Sequence, residues 1–242
     1  MPDIHPSGDG SAPTDEALKR VDAWWTVLLV DPIAAPLARR LNRWSSFTPS
    51  RVTVAAHLLG LVSAVAFALD ALVVGAIVFE MRFVFDCVDG KLARLRGTSS
   101  NVGAYLDYVG DLLVVAVNLV AIGLWLDWHA DAHPAIGLAL VAAFLARVAV
   151  GLTITMAYDW RPSVAPPGSV AAWLAARRLA PKPGRIEAEH LLCFVAPLLA
   201  AITASSVPLE AAAVAIAAYF GVSAIRGFQF GIGLARTKDR GS

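Results

Sequence analysis

Eight residues between positions 86 and 111 carry the chemistry of this chain: Asp86, Asp89, Gly90, Ala93, Arg94, Gly103, Asp107 and Asp111. Asp86, Asp89, Gly90 and Ala93 follow an i, i+3, i+4, i+7 rhythm, so a helix places two acids and two small residues on one face. Gly103, Asp107 and Asp111 repeat the pattern at i, i+4 and i+8. Each helix would then offer a carboxylate pair and a place where a ligand can approach the backbone closely. Carboxylates without His or Cys are hard oxygen ligands, a set that suits Mg2+ or Mn2+ and not zinc.

The surroundings make that cluster costly. Hydrophobic residues are 57% of the 242, charged residues 16%, and the mean hydropathy is +0.64, which places the chain in the membrane class. Four unpaired carboxylates in such a medium are untenable, and two divalent ions would balance them. The net charge of +1 is uninformative, and no nucleic-acid partner is expected. The two cysteines, Cys87 and Cys193, lie in apolar runs, so neither a disulfide framework nor a zinc site is supported. Residues 1–14, rich in Pro, Gly, Ser and Asp, read as a disordered cytoplasmic tail, and 236–242 as a second tail.

Six segments are long and apolar enough to cross a hydrocarbon core of about 30 Å. They are Val52 to Leu69, Ala71 to Ala93, Gly103 to Leu126, Pro134 to Ala157, Glu189 to Ser205 and Pro208 to Gly231. The expected fold is therefore an all-α integral membrane domain over 51–235, with juxtamembrane interfacial helices over 15–50. Seventeen of the twenty Lys and Arg fall before the first span, in the second-to-third and fourth-to-fifth connections, or after the sixth. That asymmetry places both termini and the second-to-third loop in the cytoplasm, in a cell (inner or plasma) membrane. At 1.5 Å per residue Asp86 then lies roughly 8 Å from the cytoplasmic face, with Asp107 about 6 Å and Asp111 about 12 Å deep, so the acids meet at one level.

Before the first span, Ile33, Leu37, Leu41 and Trp44 recur at helical spacing against Arg39, Arg40 and Arg43, as expected of a helix lying on anionic headgroups. Asp15 to Val30, with Trp24 and Trp25, reads as an earlier interfacial helix. Ser169 to Leu179 reads as another, after Pro166-Pro167-Gly168. Thr48-Pro49-Ser50 marks a helix start, with Thr48 or Ser50 as cap.

The spacing Asp-x2-Asp-Gly-x2-Ala-Arg-x8-Gly-x3-Asp-x3-Asp resembles the signature of the CDP-alcohol phosphotransferase (phosphatidyltransferase) family at all eight positions. The six-segment pattern around it is also similar to that family's membrane domain. The resemblance implies transfer of a substituted phosphoryl group, such as phosphatidyl from CDP-diacylglycerol, to the hydroxyl of a polar alcohol acceptor, with release of CMP. It implies Asp86, Asp89 and Asp107 as metal ligands. It implies Asp111 as general base and a further metal ligand. Gly90, Ala93, Arg94, Gly103 and Asp107 would contact the nucleotide, with Arg51 a further contact, and a homodimer is implied as well. Glycerol phosphate and inositol phosphate are both candidate acceptors. The Arg-Ala-Arg-type element of inositol-phosphate members is replaced after the fourth span by Ile154-Thr155-Met156-Ala157-Tyr158.

Other polar residues in the spans have two readings each. Arg82 either pairs with Asp86 one turn away or binds acceptor phosphate. Arg147 and Arg226 pair internally or contact the acceptor. Arg185 is a loop charge or an acceptor contact, Glu80 a structural partner for Arg82 or another span, and Lys91 a solvated loop lysine or a phosphate contact. His57 and His190 read as satisfied core residues. Trp125 and Trp128 fit an aromatic belt, and Gly227-x3-Gly231 close helix packing. Acids on facing helices could instead line a divalent-cation path, but these hug one membrane face and have no second copy in later spans. An inactive membrane scaffold would be expected to have lost a motif residue, and none is lost.

Overall fold

The helices follow from capping and apolar length. The computed structural model describes residues 16–99, 101–130, 135–158 and 168–239. The expected tail 1–14 lies outside the described residues, as do Asp131, His133, Pro134, Arg161, Pro166, Pro167, Arg240 and the side chains of 155–158, Arg236 and Lys238. A π-helical turn at Thr26–Val30 runs directly into α1 (Asp31–Asn42). Thr48 caps α2 (Pro49–Ala68) by accepting from Arg51 N at 3.4 Å, with Pro49 at the first helical position. The chain continues through α3 (Leu72–Leu95), α4 (Asn101–His129), α5 (Ala135–Tyr158) and the short α6 (Val170–Ala175). The next span is α7 (Arg185–His190), a π-helical turn (Leu191–Val195) and α8 (Ala196–Thr203), followed by α9 (Val207–Asp239).

Two helices were expected before the first span, and a single continuous one is found. Residues 16–23 are used otherwise: Asp22 forms an isolated parallel bridge with Leu179, donating from its N to the Arg178 carbonyl and accepting from Ala180 N. Helix therefore begins only near Trp24 and continues unbroken into α1. α1 also has a protein-facing side, which the apolar stripe did not mark. Val30, Ala34, Ala38 and Leu41 pack on Phe83, Val88 and Leu92 of α3, because small residues let the two helices approach. Ile33 and Trp44 face outward, as the apolar stripe predicts, while Leu41 turns inward. Arg96 closes this join by donating to the Leu41, Trp44 and Phe47 carbonyls and to Asn42 Oδ1 at the end of α1.

Five helical segments are long and apolar enough to cross a membrane: Pro49–Ala68, Tyr105–His129, Ala135–Ile154, Arg185–Thr203 and Val207–Ala235. The remaining expected span is α3, which has 24 residues but carries Glu80, Arg82, Asp86, Asp89, Lys91 and Arg94. The helix that carries Asp86 and Asp89 is the one whose apolar run is interrupted by charged residues. The fifth span starts four residues before the expected Glu189, because Gly184 N donates to Glu187 Oε2 at 2.6 Å and begins the helix there.

α2 packs against α3 and α4, α5 against α4 and α9, and α8 between α3 and α9. The main core joins Phe67, Phe79, Leu119, Ile122, Phe144, Leu192 and Phe220. Inside it, Asn118 Nδ2 donates to the Gly60 and Val114 carbonyls, and Ser63 Oγ lies 2.8 Å from both Asn118 Oδ1 and the Gly75 carbonyl. Buried polar groups satisfied in this way fix the register of α2, α3 and α4 against one another. At the far end, Trp125 Nε1 donates to Asp70 Oδ1 at 2.6 Å, tying the α2–α3 turn to α4. Cys87 and Cys193 are free thiols.

Candidate active site

The two halves of the motif are folded back on each other by the turn after α3. Gly97 adopts φ +61°, Thr98 N donates to the Ala93 carbonyl and Gly97 N to the Arg94 carbonyl, a Schellman closure that needs a residue at ease in the left-handed region. The turn reverses the chain, and α3 and α4 both pack on α2, so Asp107 returns toward Asp86 and Asp89. Carboxylate oxygens of Asp86, Asp89 and Asp107 come within 4.8 Å of one another.

Each of these acids is held differently. Asp89 is buried and accepts from Thr53 Oγ1 of α2 at 2.5 Å. Asp107 Oδ1 is buried and has no hydrogen-bond partner among the described residues. An orphaned carboxylate oxygen facing two further carboxylates is a place for a cation, so the donor set fits Mg2+ or Mn2+. α2 also sends His57 against α4. A Cβ on Gly110 would stand 2.2 Å from the His57 ring, so only glycine at position 110 permits this approach.

Asp111 stands outside the three-acid group. Arg82 Nη1 donates to its Oδ1 at 2.5 Å and Arg185 Nη2 to its Oδ2 at 2.9 Å, while Arg185 Nη1 pairs with Glu189 at 2.9 Å. Arg82 therefore does not pair with Asp86 one turn along its own helix. It reaches across to α4, its guanidinium over the Phe79 and Phe83 rings. Arg185, read as a loop charge or an acceptor contact, stands in the first turn of α7 with its guanidinium on Asp111. The signal that could have found it is Gly184 followed three residues later by Glu187, a helix start that moves Arg185 into the first turn of the span.

The other sequence candidates fall as follows. Arg94 lies over Gly90, where a Cβ would be in ordinary contact with its Nη1 at 3.6 Å, and its Nε donates to the Ala17 carbonyl. Ala93 sits in the last turns of α3 and Gly103 in the first turn of α4. Arg51 donates to the Ser46 carbonyl. Arg147 donates to Ser223 Oγ on α9 at 2.8 Å, and Arg226 is exposed on α9; among the described residues neither forms an ion pair with the motif acids. Glu80 takes Trp25 Nε1 and lies 3.4 Å from His190 Nε2 in place of Arg82. His190 is a core residue as expected, boxed by Trp25, Phe79 and Phe83. Lys91, read as a loop lysine, is buried and paired with Asp31.

The sequence model of the CDP-alcohol phosphatidyltransferase family matches residues 46–223. The chain belongs to that family. As a CDP-alcohol phosphatidyltransferase family member it is 33% identical over 120 residues to the bifunctional IPC transferase and DIPP synthase of Aquifex aeolicus, 45% of this chain and 28% of that protein. It is 29% identical over 117 residues to the phosphatidylinositol phosphate synthase of Mycobacterium tuberculosis, 48% of this chain and 54% of that protein. The chain thus spans about half or less of the length of these curated relatives. Its fold is that of the M. tuberculosis phosphatidylinositol phosphate synthase solved with manganese and citrate: TM-score 0.59 at 22% identity, covering 82% of this chain and 88% of that one. The same enzyme solved with CDP-DAG bound gives 0.58 at 22% identity, covering 83% and 94%.

Proposed function

We propose that this protein transfers a phosphatidyl group from CDP-diacylglycerol to the hydroxyl of a polar alcohol and releases CMP. The observation that carries the reading is the meeting of Asp86, Asp89 and Asp107 beside the Arg-flanked Asp111. Family membership and a neighbour of the same fold solved with CDP-DAG bound support it. Asp86, Asp89 and Asp107 hold the divalent cation, Mg2+ or Mn2+; a manganese-bound neighbour supports the choice. When bound, such an ion would neutralise charge on the donor's pyrophosphate and on the CMP that leaves as its phosphoanhydride bond breaks. Three carboxylates and the two charges of a bridging pyrophosphate would balance two divalent ions to within one unit, which supports two ions over one.

The protein's own residues do the rest. Gly90, Ala93 and Gly103 present little side chain, so a nucleotide can lie close against α3 and the start of α4. Arg94, over Gly90, is placed to exchange the Ala17 carbonyl for a phosphate oxygen. Asp111 takes the proton from the acceptor hydroxyl, and Arg82 and Arg185 fix the direction of its two oxygens. Arg185, the more exposed of the two, marks the side from which the acceptor enters. Arg147 and Arg226, bound to or near the α5–α9 seam, contribute at most to the outer part of that path. We assign six spans counting α3, with the active site and both termini on the cytoplasmic side of the plasma membrane. Homodimerisation follows the family resemblance.

The test is CMP release by the purified protein in liposomes with Mg2+ and labelled CDP-diacylglycerol, screened against inositol phosphate, glycerol phosphate, inositol and serine. Release that needs both Mg2+ and one of these acceptors is expected. Absence of release with every acceptor, from protein that remains folded, would overturn the proposal.

A further inference from the structure

The metal-bearing end of α3 carries a buried cation that the reaction does not use. Lys91 follows Gly90 directly, is 3% exposed, and pairs with Asp31 Oδ1 of α1 at 2.7 Å. The other oxygen of the same carboxylate takes Arg178 Nη2 at 2.6 Å. Arg178 is itself fixed from several sides: its Nε donates to the Lys19 carbonyl, its own carbonyl accepts from Asp22 N, and it adopts φ +65°, a conformation that a non-glycine residue keeps only where its surroundings determine it. One carboxylate therefore joins three elements: the interfacial helix, the acid-bearing helix and the connection between α6 and α7.

The charge count gives this join a consequence for the neighbouring acids. Asp31, Lys91 and Arg178 together carry one positive charge. Without the carboxylate they carry two, one of them an ammonium buried in α3 two positions from Asp89. We propose that Asp31 is a positioning residue for the metal centre: by pairing Lys91 it keeps that ammonium turned to the far side of α3 and neutralised, so that a divalent cation can bind to Asp86, Asp89 and Asp107. The inference rests on the metal reading above. One added positive charge about 10 Å away, the width of a helix with its side chains, repels a divalent ion strongly enough at an effective dielectric of about 20 to weaken binding tenfold or more.

The probe is Mn2+ alone, titrated into the purified full-length protein in lipid nanodiscs and followed by electron paramagnetic resonance, which needs no turnover. Asp31→Asn is expected to raise the Mn2+ dissociation constant about tenfold or more. Adding Lys91→Met to that variant restores the net charge and is expected to bring the constant back to within about threefold of wild type. Lys91→Met alone, which spares the Asp31–Arg178 pair, is expected to tighten Mn2+ binding, and reads out the proposal even where Asp31→Asn fails to fold. Mn2+ affinity unchanged in both single variants overturns the inference, as does a weakening in Asp31→Asn that Lys91→Met does not relieve. Wild-type protein that binds no Mn2+ sinks the metal reading and this inference together. Wild-type protein that binds Mn2+ yet releases no CMP sinks the proposed activity alone.

Discussion

Arg185 in the first turn of α7 donates to Asp111 Oδ2 at 2.9 Å across 74 positions of chain. With Arg82 on the other oxygen, the carboxylate is held by two guanidiniums from two different spans, and its direction is set by the packing of α3, α4 and α7 together. The two arginines differ in burial: Arg82 is 1% exposed and Arg185 21%.

That difference separates their roles. Arg82→Met leaves Asp111 short of a partner deep in the bundle and is expected to cost about 3–5 kcal/mol, read as a lowered thermal midpoint in detergent. Arg185→Lys, which keeps a cation beside Asp111 and the buried Glu189 but loses the forked geometry, is expected to leave the midpoint nearly unchanged while CMP release falls about 10²-fold from loss of orientation. Equal effects of the two on stability would contradict this division.

Asp111→Asn keeps the shape of the side chain and removes its ability to take a proton. Turnover is expected to fall by about 10²–10⁴-fold. Mn2+ binding should be largely retained, since Asp111 stands apart from the three-acid group. Near-normal turnover in this variant would remove Asp111 as the base.

Gly110 and His57 set the spacing of α2 and α4 beside the acids. Gly110→Ala drives a methyl into the imidazole and is expected to destabilise the protein by about 1–3 kcal/mol. The His57→Ala change made in the same chain opens the space again and should recover most of that loss in a thermal unfolding series. No recovery would show that the contact is not what limits position 110.

Much of the site was legible in the chain because helical periodicity and the cost of burying charge are local rules. The i, i+3 and i+4 spacings of Asp86, Asp89 and Asp107 placed them on facing helices, and the structure brings the three together. Thr53 was not legible: a threonine five residues past a helix cap looks like any other until α3 lays Asp89 beside it. Of the two readings of Arg82, the pairing with Asp86 along its own helix gives way to Asp111 on the next helix, because packing and not sequence spacing brings that carboxylate to it. Lys91 read as a loop lysine because its partner, Asp31, lies 60 positions earlier on a helix whose buried face is made of alanines. Of the apolar pattern Ile33, Leu37, Leu41, Trp44, only Ile33 and Trp44 face outward; Leu41 joins a protein-facing side otherwise made mostly of alanines too small to signal.

Asp31 gives the pH dependence. Burial raises its carboxyl, but the hydrogen bonds and charges of Lys91 and Arg178 outweigh burial and hold it below the ordinary value of 3.8. A depressed folded-state value means that the pair's contribution is fully present above about pH 4 and is lost as pH falls through the lower folded value. Unfolding midpoints of wild type and Asp31→Asn should therefore differ at neutral pH and converge as pH falls through the lowered folded-state value of Asp31. Curves that stay parallel from neutral pH down into acid would show that Asp31 is not the group responsible.

The most direct measurement is anomalous scattering from crystals of the protein soaked in Mn2+. A peak within coordination distance of Asp86, Asp89 and Asp107, lost in Asp107→Asn, is the expected result. Manganese bound only elsewhere, in crystals whose protein still releases CMP in a metal-dependent way, would contradict it.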